Sequence, residues 1–129
     1  MTAIDENALI ESFITKAKHG RYKTKLAGAK EKRREFLDRL NHSPDFDERF
    51  VRWLPSNASL VDLLKQHGAP KSCAIISADR DLDGQEMELN TAINAVAVSG
   101  CGAILSCIGG KLALYLGEDG ESRAILYRL

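Results

Sequence analysis

Asp79, Asp81, Asp83 and Glu88 are the residues whose type and spacing best suit them to chemistry. Asp79-Arg80-Asp81-Leu82-Asp83-Gly84 alternates carboxylates and then supplies a glycine. That matches the first half of a calcium loop, where oxygens converge from alternate positions and glycine permits the sharp turn. The second half departs from the pattern. Its closing position holds Asn90 instead of a bidentate Glu, and Glu88 arrives early. The expectation is a calcium or magnesium site on these four residues, set against an acidic turn whose carboxylates cap and polarise the following helix.

A second candidate is electrostatic. The formal net charge is zero, with 18 basic and 18 acidic residues, so the overall balance points to no partner. The distribution is uneven: between Lys16 and Arg39 there are 10 basic residues and 3 acidic ones. Lys16, Lys18, Arg21, Lys23, Lys25, Lys30, Lys32, Arg33 and Arg34 would make a phosphate-contacting face, because Lys and Arg supply most non-specific affinity for nucleic acid. Within that set Lys23, Lys30, Lys32, Arg33 and Arg34 are the candidate nucleic-acid residues. Against this, Glu31, Glu35 and Asp38 offer opposite charges at helical spacing, as on an ordinary solvated helix. With Phe36 assigned to the core face, Tyr22 is the one aromatic among the charges, which gives little basis for base stacking.

Other reactive types have simpler readings. Cys73, Cys101 and Cys107 are odd in number, lack C-x-x-C spacing and sit in or beside apolar runs, so they read as core thiols. His19, His42 and His67 are placed at helix C-termini, where the dipole favours a cation. Gly100-x-Gly102 follows a helix instead of preceding one, and Gly109-Gly110-Lys111 lacks P-loop spacing, so both read as turns. No catalytic residue is assigned.

The elements that must position these residues fall into two halves of a single domain, residues 1–68 and 71–129. Asp5 and Glu6 open a helix carrying Ile10, Phe13, Ile14 and Ala17, which His19-Gly20 ends. A second helix is expected from Tyr22 to Leu40, weakened by Gly28 by about 1 kcal/mol relative to Ala. Ser43-Pro44-Asp45 starts a short helix ending near Trp53-Leu54-Pro55, and Ser56 or Asn57 caps a fourth that Gly68 and Pro70 stop. The second half changes period. Cys73-Ala74-Ile75-Ile76 reads as a covered strand, Leu89 to Ala97 as a helix and Ala103 to Ile108 as a strand. Gly109-Gly110 is a two-residue hairpin turn, and Leu112 to Leu116 and Arg123 to Arg128 complete a meander.

The expected fold is therefore α+β, with a helical N-terminal segment on a four-stranded mixed sheet. A parallel strand-helix-strand crossover from Ile76 to Ala103 would be followed by an antiparallel C-terminal meander. The opening residues, acidic and without a basic stretch, do not read as a signal peptide, and no apolar run nears the ~20 residues of a membrane span. The expected compartment is a reducing cytoplasm.

One stretch, about residues 60–108, resembles a known domain. Leu63-Leu64-Lys65-Gln66-His67-Gly68-Ala69, Ala74-Ile75-Ile76-Ser77, Asp83-Gly84-Gln85-Glu86 and Gly100-Cys101-Gly102-Ala103-Ile104-Leu105 resemble the C-terminal domain of archaeal and eukaryotic peptide-chain release factors. The resemblance implies an RNA or ribosome link and carries over no catalytic residue. Two departures are a longer intervening helix and an N-terminal helical region without a counterpart there.

Three functions stand at this point. The first is a small cytoplasmic binding or regulatory module with a protein partner or self-association, its unpaired last strand, Ala124 to Tyr127, offering an edge for dimerisation. The second is an RNA- or ribosome-associated protein using residues 16–39. The third is a divalent-metal enzyme or sensor built on residues 79–88.

Overall fold

Leu112–Leu116 is buried at every position, and the sheet around it explains why. A computed structural model of the chain describes residues 3–42, 45–55, 57–118 and 122–128. Its strands are β1 (Val51–Trp53), β2 (Ser72–Ile76), β3 (Glu86–Glu88), β4 (Ala103–Ile108), β5 (Leu112–Leu116) and β6 (Arg123–Tyr127). They form one sheet in the order β1-β6-β5-β4-β2-β3. The helices are α1 (Ala3–Phe13), α2 (His19–Leu26), α3 (Lys30–His42), α4 (Leu60–Gln66) and α5 (Leu89–Ser99).

Side chains alternate across a strand, so each central strand feeds two cores. Ala113 and Tyr115 of β5 join Ile76, Ile104, Ala124 and Leu126 beneath Ile10 and Phe13 of α1, Tyr22 and Leu26 of α2, and Phe36 and Leu37 of α3. Leu112, Leu114 and Leu116 join Ile75, Leu105 and Ile125 on the other face, under Leu60 and Leu64 of α4 and Leu89, Ala92 and Val96 of α5. A sheet covered on both sides needs apolar residues at both parities, which is the pattern of β5 throughout and of β4 except at Ser106.

The structure confirms the α+β class and corrects the sheet. There are six strands among the described residues, and every hydrogen-bonded pair is antiparallel. The expected parallel crossover from β2 to β4 does not occur, because the short strand β3 reverses the chain before α5 begins. The segment β3–α5–β4 does join two strands of like direction, but β2 lies between them. On the opposite edge β1 pairs with β6 through Val51↔Leu126, Arg52↔Ile125 and Trp53↔Ala124. The last strand is therefore covered, and the outer strands are β1 and β3.

Helix boundaries differ too. The expected helix from Tyr22 to Leu40 is two helices, broken at Ala27-Gly28-Ala29, where a glycine's backbone entropy tips a weak helix into a turn. Gly20 lies inside α2 instead of ending α1, and a 3-10 turn (Lys16–Lys18) separates the two. The residues before Trp53 form a 3-10 turn, Glu48–Phe50, and then β1, not a helix. Ser43 and Pro44, the expected start of that helix, and Ser56, one expected cap of the next, lie outside the described residues. Ser59 holds the cap position of α4. At the β4–β5 connection Gly110 takes the positive φ of 71° and Gly109 does not. No helix among the described residues is long and apolar enough to cross a membrane.

Candidate functional site

The loop leaving β2 is held by its own polar groups. Buried Ser77 donates its hydroxyl to the Gly102 carbonyl at 2.8 Å and accepts from the Asp79 N–H at 3.1 Å. The Asp79 carboxylate accepts from the Asp81 N–H at 2.8 Å, and the Asp79 carbonyl accepts from the N–H groups of Leu82 and Asp83. Gly84 ends the turn at φ 83°, a backbone state that costs glycine little. The loop is thus built from Asp-turn chemistry.

Asp83 faces α3. Arg33 donates Nε and Nη2 to its two carboxylate oxygens at 2.8 and 3.0 Å, a two-pronged pairing that fits guanidinium to carboxylate. The same guanidinium donates to Glu6 on α1 and, at 2.9 Å, to the Leu26 carbonyl at the end of α2. Burial disfavours the Arg33 charge, but the hydrogen bonds it donates to Asp83 and Glu6 more than offset this and raise its pKa. Asp83 also accepts from the Ser77 N–H at 3.2 Å. One arginine therefore ties α1, α2 and α3 to the acidic loop.

That arrangement decides what the acidic residues are free to do. Asp83 turns its carboxylate towards Arg33, and Asp79 towards its own loop. Glu88 caps α5, accepting from the Thr91 N–H at 2.9 Å and the Asn90 N–H at 3.1 Å, which hold its carboxyl below the usual carboxylate range. Capping by a loop carboxylate was expected, but Glu88 does it and not the three aspartates. Among the described residues no three His, Cys, Asp or Glu side chains gather closely enough to hold a metal ion.

The basic candidates separate into two groups. Lys23 is paired with Glu11 at 2.5 Å, and Arg33 with Asp83 and Glu6. Lys30 and Arg34, one helical turn apart on α3, line a cleft of about 210 Å³ together with Ser77, Ala78, Arg80 and Asp83. No ion pair joins Lys30, Arg34 or Arg80 to a carboxylate among the described residues. Lys32 lies on the far side of α3 from them and lines a separate cleft of about 160 Å³ with Lys25, Glu35 and Phe36. Sequence reasoning missed Ser77 and Arg80. A lone cation among alternating aspartates was a usable signal for Arg80; a serine at the end of an apolar strand gave none.

Two further expectations meet their outcome here. His19 begins α2 instead of closing a helix, with its Nε2 2.7 Å from the Ile14 carbonyl. His67 does sit at the C-terminal cap of α4, tilted against Tyr127 at a ring separation of 4.5 Å. Compared with models of known protein families, with curated proteins and with solved structures, the chain finds no match.

Proposed function

We propose that this chain is a binding module that holds the phosphate backbone of a single-stranded RNA in the cleft between α3 and the loop after β2. The observation that carries this reading is the trio Lys30, Arg34 and Arg80, three cations lining one concave surface without carboxylate partners among the described residues. Asp83 lines the same cleft, but its charge is engaged by Arg33, so it subtracts little from the field the trio presents. Asp79 and Asp81 flank Arg80 and reduce that field, which favours modest affinity. The likeness of residues 60–108 to release-factor C-terminal domains points the same way.

The test is fluorescence anisotropy with a labelled single-stranded RNA. Three phosphate contacts predict that affinity falls roughly fifteen- to twentyfold between 50 and 200 mM salt. Lys30→Glu with Arg34→Glu should weaken binding at least tenfold, while Lys23→Glu, whose charge is already paired, should do so several times less. A flat salt profile, or equal losses from all positions, would overturn the reading.

A second reading, self-association, is favoured by Trp53. It stands 49% exposed on the outer strand β1, edge-on to Tyr115 at 6.1 Å. A concentration-dependent dimer that Trp53→Lys abolishes would support it. A divalent-metal role for Asp79, Asp81, Asp83 and Glu88 has less support, since three of these carboxylates already accept protein hydrogen bonds.

A further inference from the structure

Cys73 of β2 and Cys107 of β4 are buried thiols on neighbouring strands. Both sulfurs belong to the core on the α4–α5 side of the sheet. The β2–β4 ladder runs through Ile75↔Leu105 and Ala74↔Ser106, and carrying that register one position further sets Cys73 opposite Cys107. The kind of pairing follows from the backbone. Ile75 donates its N–H to Gln85 and its carbonyl accepts from Gly84, so its polar groups turn towards β3 and away from β4. Cys73, two residues away, turns the same way. Its pairing with β4 is then the non-hydrogen-bonded kind, with Cα atoms about 4.5 Å apart and side chains at their closest. That separation lies within the roughly 4.4–6.8 Å a disulfide spans. Cys107 is also the extra residue of a bulge, since Ser106 pairs with Ala113 and Ile108 with Leu112 on β5. A bulge loosens the ladder locally and re-aims a side chain.

We propose that Cys73 and Cys107 are a modification site, a cross-strand dithiol that a peroxide oxidises to a disulfide inside the folded chain. The Cys73 thiolate attacks one peroxide oxygen, the O–O bond breaks, and a sulfenic acid forms as hydroxide leaves. The Cys107 sulfur then attacks the Cys73 sulfur; the S–S bond forms, the S–O bond breaks, and the second oxygen leaves as water. Two thiols and one peroxide become one disulfide and two waters, with both sulfurs oxidised and both peroxide oxygens reduced. Burial, and then Glu88, pushes the Cys73 thiol up to about 11, and burial, and then Cys73, pushes Cys107 up to about 12. The reaction is therefore slow at neutral pH and accelerates about tenfold per pH unit as thiolate appears.

The experiment uses the full chain carrying Cys101→Ser, exposed to hydrogen peroxide at pH 8.5, then alkylated under denaturing conditions and weighed intact. The expected result is a monomer about 2 Da lighter that takes up no alkylating agent, from the loss of two hydrogens, and reverts on treatment with dithiothreitol. Peptide mapping should show Cys73 joined to Cys107, and the oxidised chain should melt about 5 °C or more above the reduced one. Adding Cys73→Ala should abolish the mass loss; should that variant not fold, the mapped peptide in the parent decides. Two thiols that stay open to alkylation, oxygen addition without mass loss, or a disulfide between two chains would each overturn the proposal.

Discussion

Arg33 illustrates how one side chain acquires a different role once its neighbours are known. In the sequence it is one cation in a basic run; in the fold it is a clamp whose side chain is only 15% exposed, with Asp83 and Glu6 as its two anions. Removing it leaves both carboxylates half-buried and without their cation. Arg33→Ala should cost about 2 kcal/mol in urea unfolding, less than a fully buried pair would because water still reaches both acids. Arg33→Lys should recover little of that, since an ammonium cannot serve both oxygens of Asp83 and the Leu26 carbonyl at once. A loss below ~0.5 kcal/mol for Arg33→Ala would mean the clamp is decorative. Arg33 and Asp83 are 50 positions apart, and nothing in their local sequence marks them as partners. By contrast, the loop that carries Asp83 was legible, because alternating aspartates before a glycine dictate a turn by local chemistry alone.

At the scale of elements, the short pieces were the ones the sequence concealed. β1 and β3 have three residues each, too few for a period-two pattern to show, and each is fixed by the strand beside it. Strands β2, β4, β5 and β6 were readable because they carry long apolar runs. The break at Gly28 was visible only as a weakness, because a glycine's cost of about 1 kcal/mol can be borne inside a helix or can end one. The turn into β4 was readable as a turn but not as a tight contact. Gly102 holds φ at 72°, and a Cβ there would lie 2.7 Å from the Leu116 carbonyl oxygen and 2.9 Å from the Glu118 nitrogen. Its own carbonyl receives the Ser77 hydroxyl. Gly102→Ala should therefore destabilise the chain by roughly 3 kcal/mol, combining positive-φ strain with backbone collision. Gly84→Ala, where φ is also positive but the space is open, should cost about 1 kcal/mol. Equal melting temperatures for the two variants would contradict this ranking.

The whole molecule should show a stability plateau set by groups far apart in the fold. Lys23 holds Glu11, Arg49 holds Asp47, and the Thr91 and Asn90 amides hold Glu88 below their ordinary carboxylate values. A carboxyl whose folded value is depressed contributes stability that is complete above its unfolded value and lost as pH falls through the folded one. Melting temperature should thus decline below about pH 4.5, shallowly, because these sites are exposed and salt screens them. The buried thiols act at the other end. Burial pushes Cys73 and Cys107 up to about 11 and about 12 when folded, against an ordinary 9.0, so stability should decline as pH rises above about 9 and continue falling through the folded values. Differential scanning fluorimetry across pH checks both limbs. A Cys73→Ala, Cys107→Ala variant that folds should lose much of the alkaline limb and keep the acid one.

The pairing of β1 with β6 also bears on the order in which this chain can be assembled. Val51 meets Leu126, so β1 must wait for a strand made much later in the chain before it finds its place. Until then its unsatisfied amides and the indole of Trp53 are offered to whatever surrounds the nascent polypeptide. A messenger cut short before the codon for Arg123 would yield a product whose β1 has no place to dock and whose β5 is left bare along one side. Such fragments should be caught by chaperones or proteases far more readily than a chain in which β1 has docked on β6.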